Sequence, residues 1–548
     1  MISYCLDKAV FFLLDKPRRV FMHVCEYVKK IRFKFFALGV LFCMYSTCAL
    51  SSNNFVKNLN FSGFEKLNRS THKSQMTMFG STSKRDLCDV KTGRSYVHVS
   101  PIKIAASGFP EFLPEAQIIF DRTKHIISVV FSKYGYSPVE TPAIERIKTI
   151  TAKGINNKEI YGLRRLNVSE GDEGEKDLAL RFDHTIPLAR YVAKHSREIT
   201  FPFRRQAIGK VWRGERASSG RYREFYQCDV DIIGRGNLDI IHDAEPPAII
   251  NEIFDQMKIG EFVIRVNNRK ILQGLFEGMG LRDYESIKRA IKTVDSMEKV
   301  TVNESLLALK ALGLTADNAK LLIDLLTTEE ENSVLLDKLS SMELRGESFQ
   351  KGVREISTVY RETINLGVPE RRLKIDLGIA RGLDYYTGTV YETGLIGYPD
   401  LGSICSGGRY DNLAELYGEE PFPGVGISIG LTRLFSNLLE RGLVICSSSS
   451  VASVLVTSQD KRFMSSYQRI ATMLRSSNIN TEIYYENDSL GKQLKFASKK
   501  GIRFATISNG DEVRSETVNV KDLISGQQAR VPWADLIRYI TEKSKESW

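Results

Sequence analysis

Cysteine pairs are missing from the body of this 548-residue chain. Of its eight cysteines, Cys5, Cys25, Cys43, Cys48 and Cys88 fall in the first hundred residues, while Cys228, Cys405 and Cys446 stand far apart, and no C-x-x-C pair occurs. That excludes a zinc-knuckle spacing and a disulfide framework, and reads the three body thiols as reduced, buried and small. A Walker A sequence, G-x-x-x-x-G-K-S/T, is also absent, so a P-loop nucleotide site finds no support. Protein-kinase signatures are absent as well. Acidic residues are scarce between Ser51 and Ser100, where only Glu65, Asp86 and Asp89 occur. The apolar run Phe35 to Leu50 falls slightly short of the roughly 20 residues that a membrane span needs.

What is present fits a soluble protein of several domains. The chain is too long for one core. Its 42% apolar and 26% charged residues are ordinary for a globular protein. The net charge of +11 suits a polyanionic partner, but a basic leader can supply much of it. Such a leader is visible. Lys29 to Lys34 is basic, the apolar run follows, and Ser46 to Ser51 is mostly small, together the pattern of a secretory signal peptide. An uncleaved anchor competes with that reading. Either Met22 is the working start, or the first 21 residues form an unusually long n-region. From Ser51 to about Ser100 the Ser, Asn, Thr, Lys and Arg content is that of a transit peptide, with a disordered linker as the alternative.

From Pro114 the pattern turns globular. Glu115 to Tyr134 sets Ile118, Ile119, Ile126, Ile127, Val130 and Phe131 at helical spacing, predicting one buried face. Gly135 to Pro142 is extended, because Pro138 and Pro142 rule out a helix. Helix then strand resembles motif 1 of class II aminoacyl-tRNA ligases, which implies a homodimer formed through this region. Leu180 to Ala193 (LRFDHTIPLARYVA) resembles the amino-acid-binding segment of histidine–tRNA ligases. The resemblance implies that Asp183 binds the α-ammonium of histidine and that Thr185 adds a hydroxyl acceptor. A buried ammonium needs such a carboxylate. Helix capping is the competing role for Asp183. His184 lies between them and is counted with the histidine-binding residues. Relatives usually have an apolar residue there, and the motif's spacing gives it no catalytic role.

Phe203 to Gly234 carries the densest signal. Val211 to Arg216 reads as a strand, Ala217 to Gly220 as a turn and Arg221 to Ile233 as a return strand. Alternation sends Arg221, Arg223, Phe225, Gln227, Asp229 and Asp231 to one face, which a half-buried strand tolerates only if that face lines a polar site. The segment resembles motif 2 in its histidine-specific form. By that resemblance Arg213 holds the α-phosphate of ATP, Glu215 accepts from the adenine amine, Phe225 stacks on the base and Arg221 meets the outer phosphates. Gln227 contacts the carboxylate or ammonium region of histidine, and Asp231 reads the imidazole. An analogue without the ring N–H would leave that acceptor buried and unpaired.

Leu373 to Glu392 contains Arg381-Gly-Leu-Asp-Tyr385-Tyr386, similar to a signature of histidine–tRNA ligases. It implies that Arg381 holds the histidine carboxylate and the α-phosphate together, catalysis by positioning and charge stabilisation. Tyr385 and Tyr386 close the imidazole pocket. Ser406 to Asp411 resembles the family's G-G-R-Y-D turn. Gly424 to Leu439 resembles motif 3, with Arg433 over the adenine and on the γ-phosphate.

The implied architecture is an α+β catalytic domain on an antiparallel sheet, with a helical insertion and a C-terminal α/β anticodon-binding domain. The boundaries read as leader 1–100 (signal-like 29–50, transit-like 51–100), a first catalytic segment 101–269 and insertion 270–370. A second catalytic segment, 371–445, and the anticodon-binding domain, 451–548, follow. In the last domain Lys492, Lys495, Lys499 and Lys500 share a helix face that could meet phosphates. The implied activity is two-step ligation of L-histidine to its tRNA through histidyl-adenylate. Its substrates are ATP, histidine and histidine tRNA, with Mg2+ implied by the ATP chemistry and no metal-ligand cluster in view. A non-catalytic subunit of histidine biosynthesis and a kinase-linked tRNA sensor share the catalytic fold. The former lacks the C-terminal domain and the latter carries kinase signatures. Since a tRNA ligase serves a translating compartment, the leader implies a plastid of the apicoplast kind, with cytoplasm or mitochondrion as the alternative and no stable membrane association once it is removed.

Overall fold

The computed structural model describes residues 106–151, 159–166, 177–217, 220–297, 300–342, 346–380, 385–412, 417–418 and 420–545. The leader readings over 1–100 and the stretch Arg381 to Asp384 lie outside them. Among the described residues no helix is long and apolar enough to cross a membrane.

Helix α1 (Pro114–Lys133) starts on a proline, whose missing N–H is no loss in a first turn, and has Glu115 and Lys133 at the ends that the helix dipole favours. Its buried face is rotated from the expected one. Ala116, Phe120, Thr123, Ile127, Val130 and Phe131 are buried, whereas Ile118, Ile119 and Ile126 are only half-buried. The Phe120 ring explains the rotation: it lies 5.2 to 5.4 Å from the rings of Phe112, Tyr226 and Phe435. One aromatic with three ring partners buries more than an isoleucine at the stripe's edge.

Strands β1 (Ser137–Pro138), β4 (Phe203–Trp212), β5 (Glu224–Ile233), β6 (Phe262–Asn268), β7 (Leu373–Ile375), β8 (Thr389–Leu395), β9 (Cys405–Tyr410) and β10 (Gly424–Gly430) form one sheet. A separate antiparallel pair joins β2 (Ile144–Arg146) to β3 (Leu178–Leu180). In space the large sheet runs β1-β4-β5-β10-β9-β8-β6-β7. Its interior pairs are antiparallel; the edge strands β1 and β7 pair parallel. Pro138, which has no N–H to give, sits where a sheet tolerates it, on an edge strand. The strand before the motif 2 turn begins at Phe203 and ends at Trp212, so Arg213 to Arg216 belong to the turn.

Strands β9 and β10 approach closely. A Cβ on Gly407 would lie 2.1 Å from the Gly426 carbonyl oxygen, so only glycine fits there. Between β6 and β7 the chain is helical: Arg269–Gly278, Tyr284–Ser296, Val302–Ala311, Ala316–Leu326, Asn332–Ser341 and Glu347–Asn365. Side chains of Asp283, Thr301 and Thr315 cap three of these starts.

The C-terminal region is a five-stranded mixed sheet, ordered β12 (Thr481–Ile483), β11 (Val454–Val456), β13 (Phe504–Ile507), β14 (Thr517–Asp522), β15 (Gln528–Pro532). Strand β15 is absent from the sequence reading. Its five residues, Gln-Ala-Arg-Val-Pro, are too few to show a clear alternation, although Val531 is buried, and the turn before it is marked by Gly526 at φ +75°. The lysine face is reduced by half: Lys492 pairs with Asp488 at 2.9 Å and Lys500 with Glu482 at 2.7 Å.

Candidate active site

A cavity of about 400 Å³ opens over the centre of the large sheet, against β5, β9 and β10. Period-two alternation on β5 brings Phe225, Gln227 and Asp229 to its wall. Asp183 and Thr185 enter from the start of helix α2 (Thr185–Lys194), Arg213, Glu215 and Arg221 from the turn after β4, and Arg433 from helix α3 (Leu431–Glu440). Tyr385 and Tyr386 line it too.

Both signs of charge line this cavity. Three of the lining residues are arginines. The Arg213 guanidinium lies 4.4 Å from the Phe182 ring and 5.2 Å from the Phe225 ring, and its Nε donates to the Phe182 carbonyl at 3.3 Å. Arg221 stands 3.9 Å from Glu215. Arg433 donates to the Leu401 carbonyl at 2.7 Å, and burial, then the nearby Arg221, lowers its affinity for a proton. Guanidiniums gathered this way suit phosphate oxygens.

Two buried carboxyls, Asp183 and Asp229, line the cavity as well. Asp183 accepts from the Ile186 N–H at 3.1 Å through Oδ1, so it does cap the helix, yet its buried Oδ2 has no partner. Burial pushes its pKa up to about 6, against the pull of the Ile186 N–H and of Arg213. Asp229 is pushed up to about 7 by burial and by Asp231. Asp231 lies deeper, off the cavity lining: Tyr410 donates to its Oδ1 at 2.9 Å and Arg205 meets its Oδ2 at 3.2 Å. A Cβ on Gly426 would come within 2.5 Å of Asp231 Oδ1, so that glycine makes the carboxylate's room. Burial raises the Asp231 pKa and Arg205 opposes it. The tyrosine rings form a nested wall, Tyr385 to Tyr386 at 5.0 Å and Tyr385 to Tyr410 at 6.0 Å. Tyr385 is buried and Tyr386 half-buried, with both phenols held neutral by burial.

Two expectations need correction. The His184 side chain turns away from the cavity. Its Nε2 is 3.2 Å from the Gly209 carbonyl, it lines a separate cavity with Arg181 and Gln206, and burial holds its pKa well below the ordinary value. Residues 183 and 185 enter the site at the helix start, and the residue between them must point behind the sheet. Arg223 also leaves the predicted face: β5 begins at Glu224, and the Arg223 Nε donates instead to the Glu215 carbonyl at 3.1 Å. Arg381 lies outside the described residues.

Sequence reasoning assigned no role to four further groups. Asp229 was visible in the alternation. Ser428, which touches it, and the Arg205 and Tyr410 partners of Asp231 become neighbours only through strand register. Among the described residues no group of three His, Cys, Asp or Glu side chains is placed to hold a metal ion.

The comparisons with known proteins agree on one family. The model for histidyl-tRNA synthetase matches residues 108–434, and that for an anticodon binding domain matches 450–543. A histidine–tRNA ligase of Nostoc sp. PCC 7120 is 43% identical over 80% of this chain and 97% of its own. One of Clostridium tetani is 43% identical over 79% and 97%. The crystal structure of the Nostoc histidyl-tRNA synthetase superposes with a TM-score of 0.75 at 42% identity, covering 80% of this chain and 99% of that one.

Proposed function

The chain belongs to the histidyl-tRNA synthetase family of class II ligases, and on that ground we propose how its cavity divides the work of histidine activation. The enzyme ligates histidine to tRNA, using ATP. The observation that carries the division is that one cavity is lined both by Arg213, Arg221 and Arg433 and by the buried carboxyls Asp183 and Asp229.

Arg213 holds the α-phosphate, with Arg221 and Arg433 on the outer phosphates. Phe225 and Glu215 take the adenine. The unpaired Asp183 oxygen, Thr185 and Gln227 receive the α-ammonium. The imidazole enters between Tyr385 and Tyr386, and by the family resemblance its N–H goes to Asp231, which lies off the cavity lining and is oriented by Arg205 and Tyr410. The histidine carboxylate then lies toward Arg213 and Arg381, where its oxygen attacks the α-phosphorus and pyrophosphate leaves. No general base is needed, because that carboxylate is already ionised; the arginines position it and stabilise the charge on phosphorus. In the second step a hydroxyl of the terminal tRNA ribose attacks the acyl carbon and AMP leaves. Magnesium accompanies the family's ATP use.

Histidine-dependent exchange of pyrophosphate into ATP tests the proposal. Exchange that Arg381→Ala lowers by about 100-fold or more supports it, a loss typical of removing one such electrostatic contact. No exchange in well-folded protein overturns it. We further propose a homodimer through the α1–β1 region, supported by β1 ending the sheet and tested by sedimentation equilibrium. A plastid destination is supported by the two-stage composition of residues 1–100. Imaging the tagged full chain against one lacking residues 1–100 tests it, with diffuse signal from both as the overturning result.

A further inference from the structure

Two acceptors in the cavity are buried without partners, Asp183 Oδ2 and Gln227 Oε1. An amide can present either end, so something must hold the Gln227 oxygen as the unpartnered one. The neighbouring hydrogen bonds supply the reason. Gln227 Nε2 donates to Ser428 Oγ at 2.8 Å, and Ser428 Oγ donates to Asp229 Oδ1 at 2.6 Å. Register places Ser428 of β10 directly opposite Asp229 of β5. A serine hydroxyl has one proton. While it goes to the Asp229 carboxylate, the serine oxygen can only accept from Gln227. The reversed amide would set two oxygens against each other.

We propose that Asp229, acting through Ser428, fixes the polarity of the Gln227 amide and so builds the ammonium site of the amino-acid substrate. Asp229 is thus a positioning residue. A donor in its place reverses the relay: Ser428 then receives a proton from position 229 and gives its own to Gln227 Oε1. The amide NH2 faces the cavity and opposes an ammonium. The inference rests on the assignment of Asp183 to the α-ammonium. The charged and titratable groups that bear on Asp229 are Asp231, Arg205, Asp183, Arg181, Tyr386, Cys228 and Cys405, with the Ser428 hydroxyl. An ammonium beside Asp183 and Gln227 favours the ionised Asp229 that the relay requires.

The test is calorimetric binding of two ligands to the full chain, L-histidine and 3-(imidazol-4-yl)propionate, which lacks the ammonium. Asp229→Asn is nearly isosteric and removes the charge that obliges Ser428 to donate toward position 229, where the amide NH2 can now donate instead. It is expected to weaken histidine binding by about 10- to 100-fold, the range for one hydrogen bond to a charged group, and the analogue by less than about 3-fold. Ser428→Ala frees the amide without reversing it and is expected to cost histidine less than Asp229→Asn does. Combining Asp229→Asn with Gln227→Glu is expected to restore most of the affinity. The amide at position 229 then donates to Ser428, Ser428 donates to the new carboxylate, and its second oxygen faces the ammonium.

Histidine affinity within 2-fold of wild type in Asp229→Asn overturns the relay. So does equal weakening of the analogue, or a double variant no tighter than Asp229→Asn. Asp183→Asn separates the two failures. If it weakens both ligands alike, the ammonium assignment falls; if it discriminates while Asp229→Asn does not, only the relay falls.

Discussion

Asp183 is held between two demands, capping α2 through one oxygen and presenting the other to the cavity. Its folded pKa of about 6 lies above the ordinary 3.8, so in the ligand-free enzyme the carboxyl favours folding only while protonated. That contribution is fully present below about pH 3.8 and is lost as pH rises through about 6. Above that, a cost on the order of 2–3 kcal/mol remains. Asp183→Asn keeps the acceptor for the Ile186 N–H and removes the buried charge. It is therefore expected to raise the thermal midpoint of ligand-free protein by several degrees at pH 8 and to change it little at pH 4, as read by calorimetry. The same substitution abolishes pyrophosphate exchange under the proposed role. His184→Ala is expected to do the reverse: lose about 1–3 kcal/mol of stability in denaturant unfolding and leave the KM for histidine within about 2-fold. At this scale the site was legible where polar residues broke a strand pattern, as at Gln227 and Asp231, or where a segment resembled the family's, as at Asp183. Ser428 was not, because a hydroxyl in a glycine-rich strand means nothing until register sets it against Asp229.

Elements were read with more success than their rotations. The helix read from Glu115 to Tyr134 is α1 within one residue at each end, yet its buried stripe is set by Phe120, whose partners Tyr226 and Phe435 lie far away in the chain. Only the folded sheet brings them together. Strand β15 escaped because five residues that alternate polar with apolar and end in proline are hard to tell from a loop. Close contact between β9 and β10 was equally hidden, although its glycines were plain. Gly407→Ala places a methyl against the backbone of Gly426 and Ile427, which cannot swing aside as a side chain can. A loss of about 3 kcal/mol or more is expected, visible as a lowered unfolding midpoint or as insoluble protein.

For the molecule as a whole, order along the chain carried the recognition: motif 2, the R-G-L-D-Y-Y stretch and the motif 3 arginine succeed one another, and a mixed five-stranded sheet follows. The net charge of +11 carried little, since it cannot say which lysines are occupied. In the C-terminal helix Leu490–Lys499, Lys492 is engaged by Asp488, and Lys500 just beyond it by Glu482. If this face meets tRNA phosphates, Lys495→Ala and Lys499→Ala each reduce the slope of log affinity against log salt by nearly 1. Lys492→Ala and Lys500→Ala reduce it less, and filter binding across a salt series reads the difference.

Opposite charges lining one cavity also bear on how a substrate arrives. Free histidine is a zwitterion, and a cleft that carries both guanidiniums and carboxyls exerts a torque on it before any contact forms. Molecules are thereby turned in transit, ammonium leading toward Asp183 and carboxylate trailing toward Arg213. Orientation is then part of capture and not a rearrangement after it. Added salt screens that outer field more than it weakens buried contacts, so ionic strength acts on the speed of entry more than on residence.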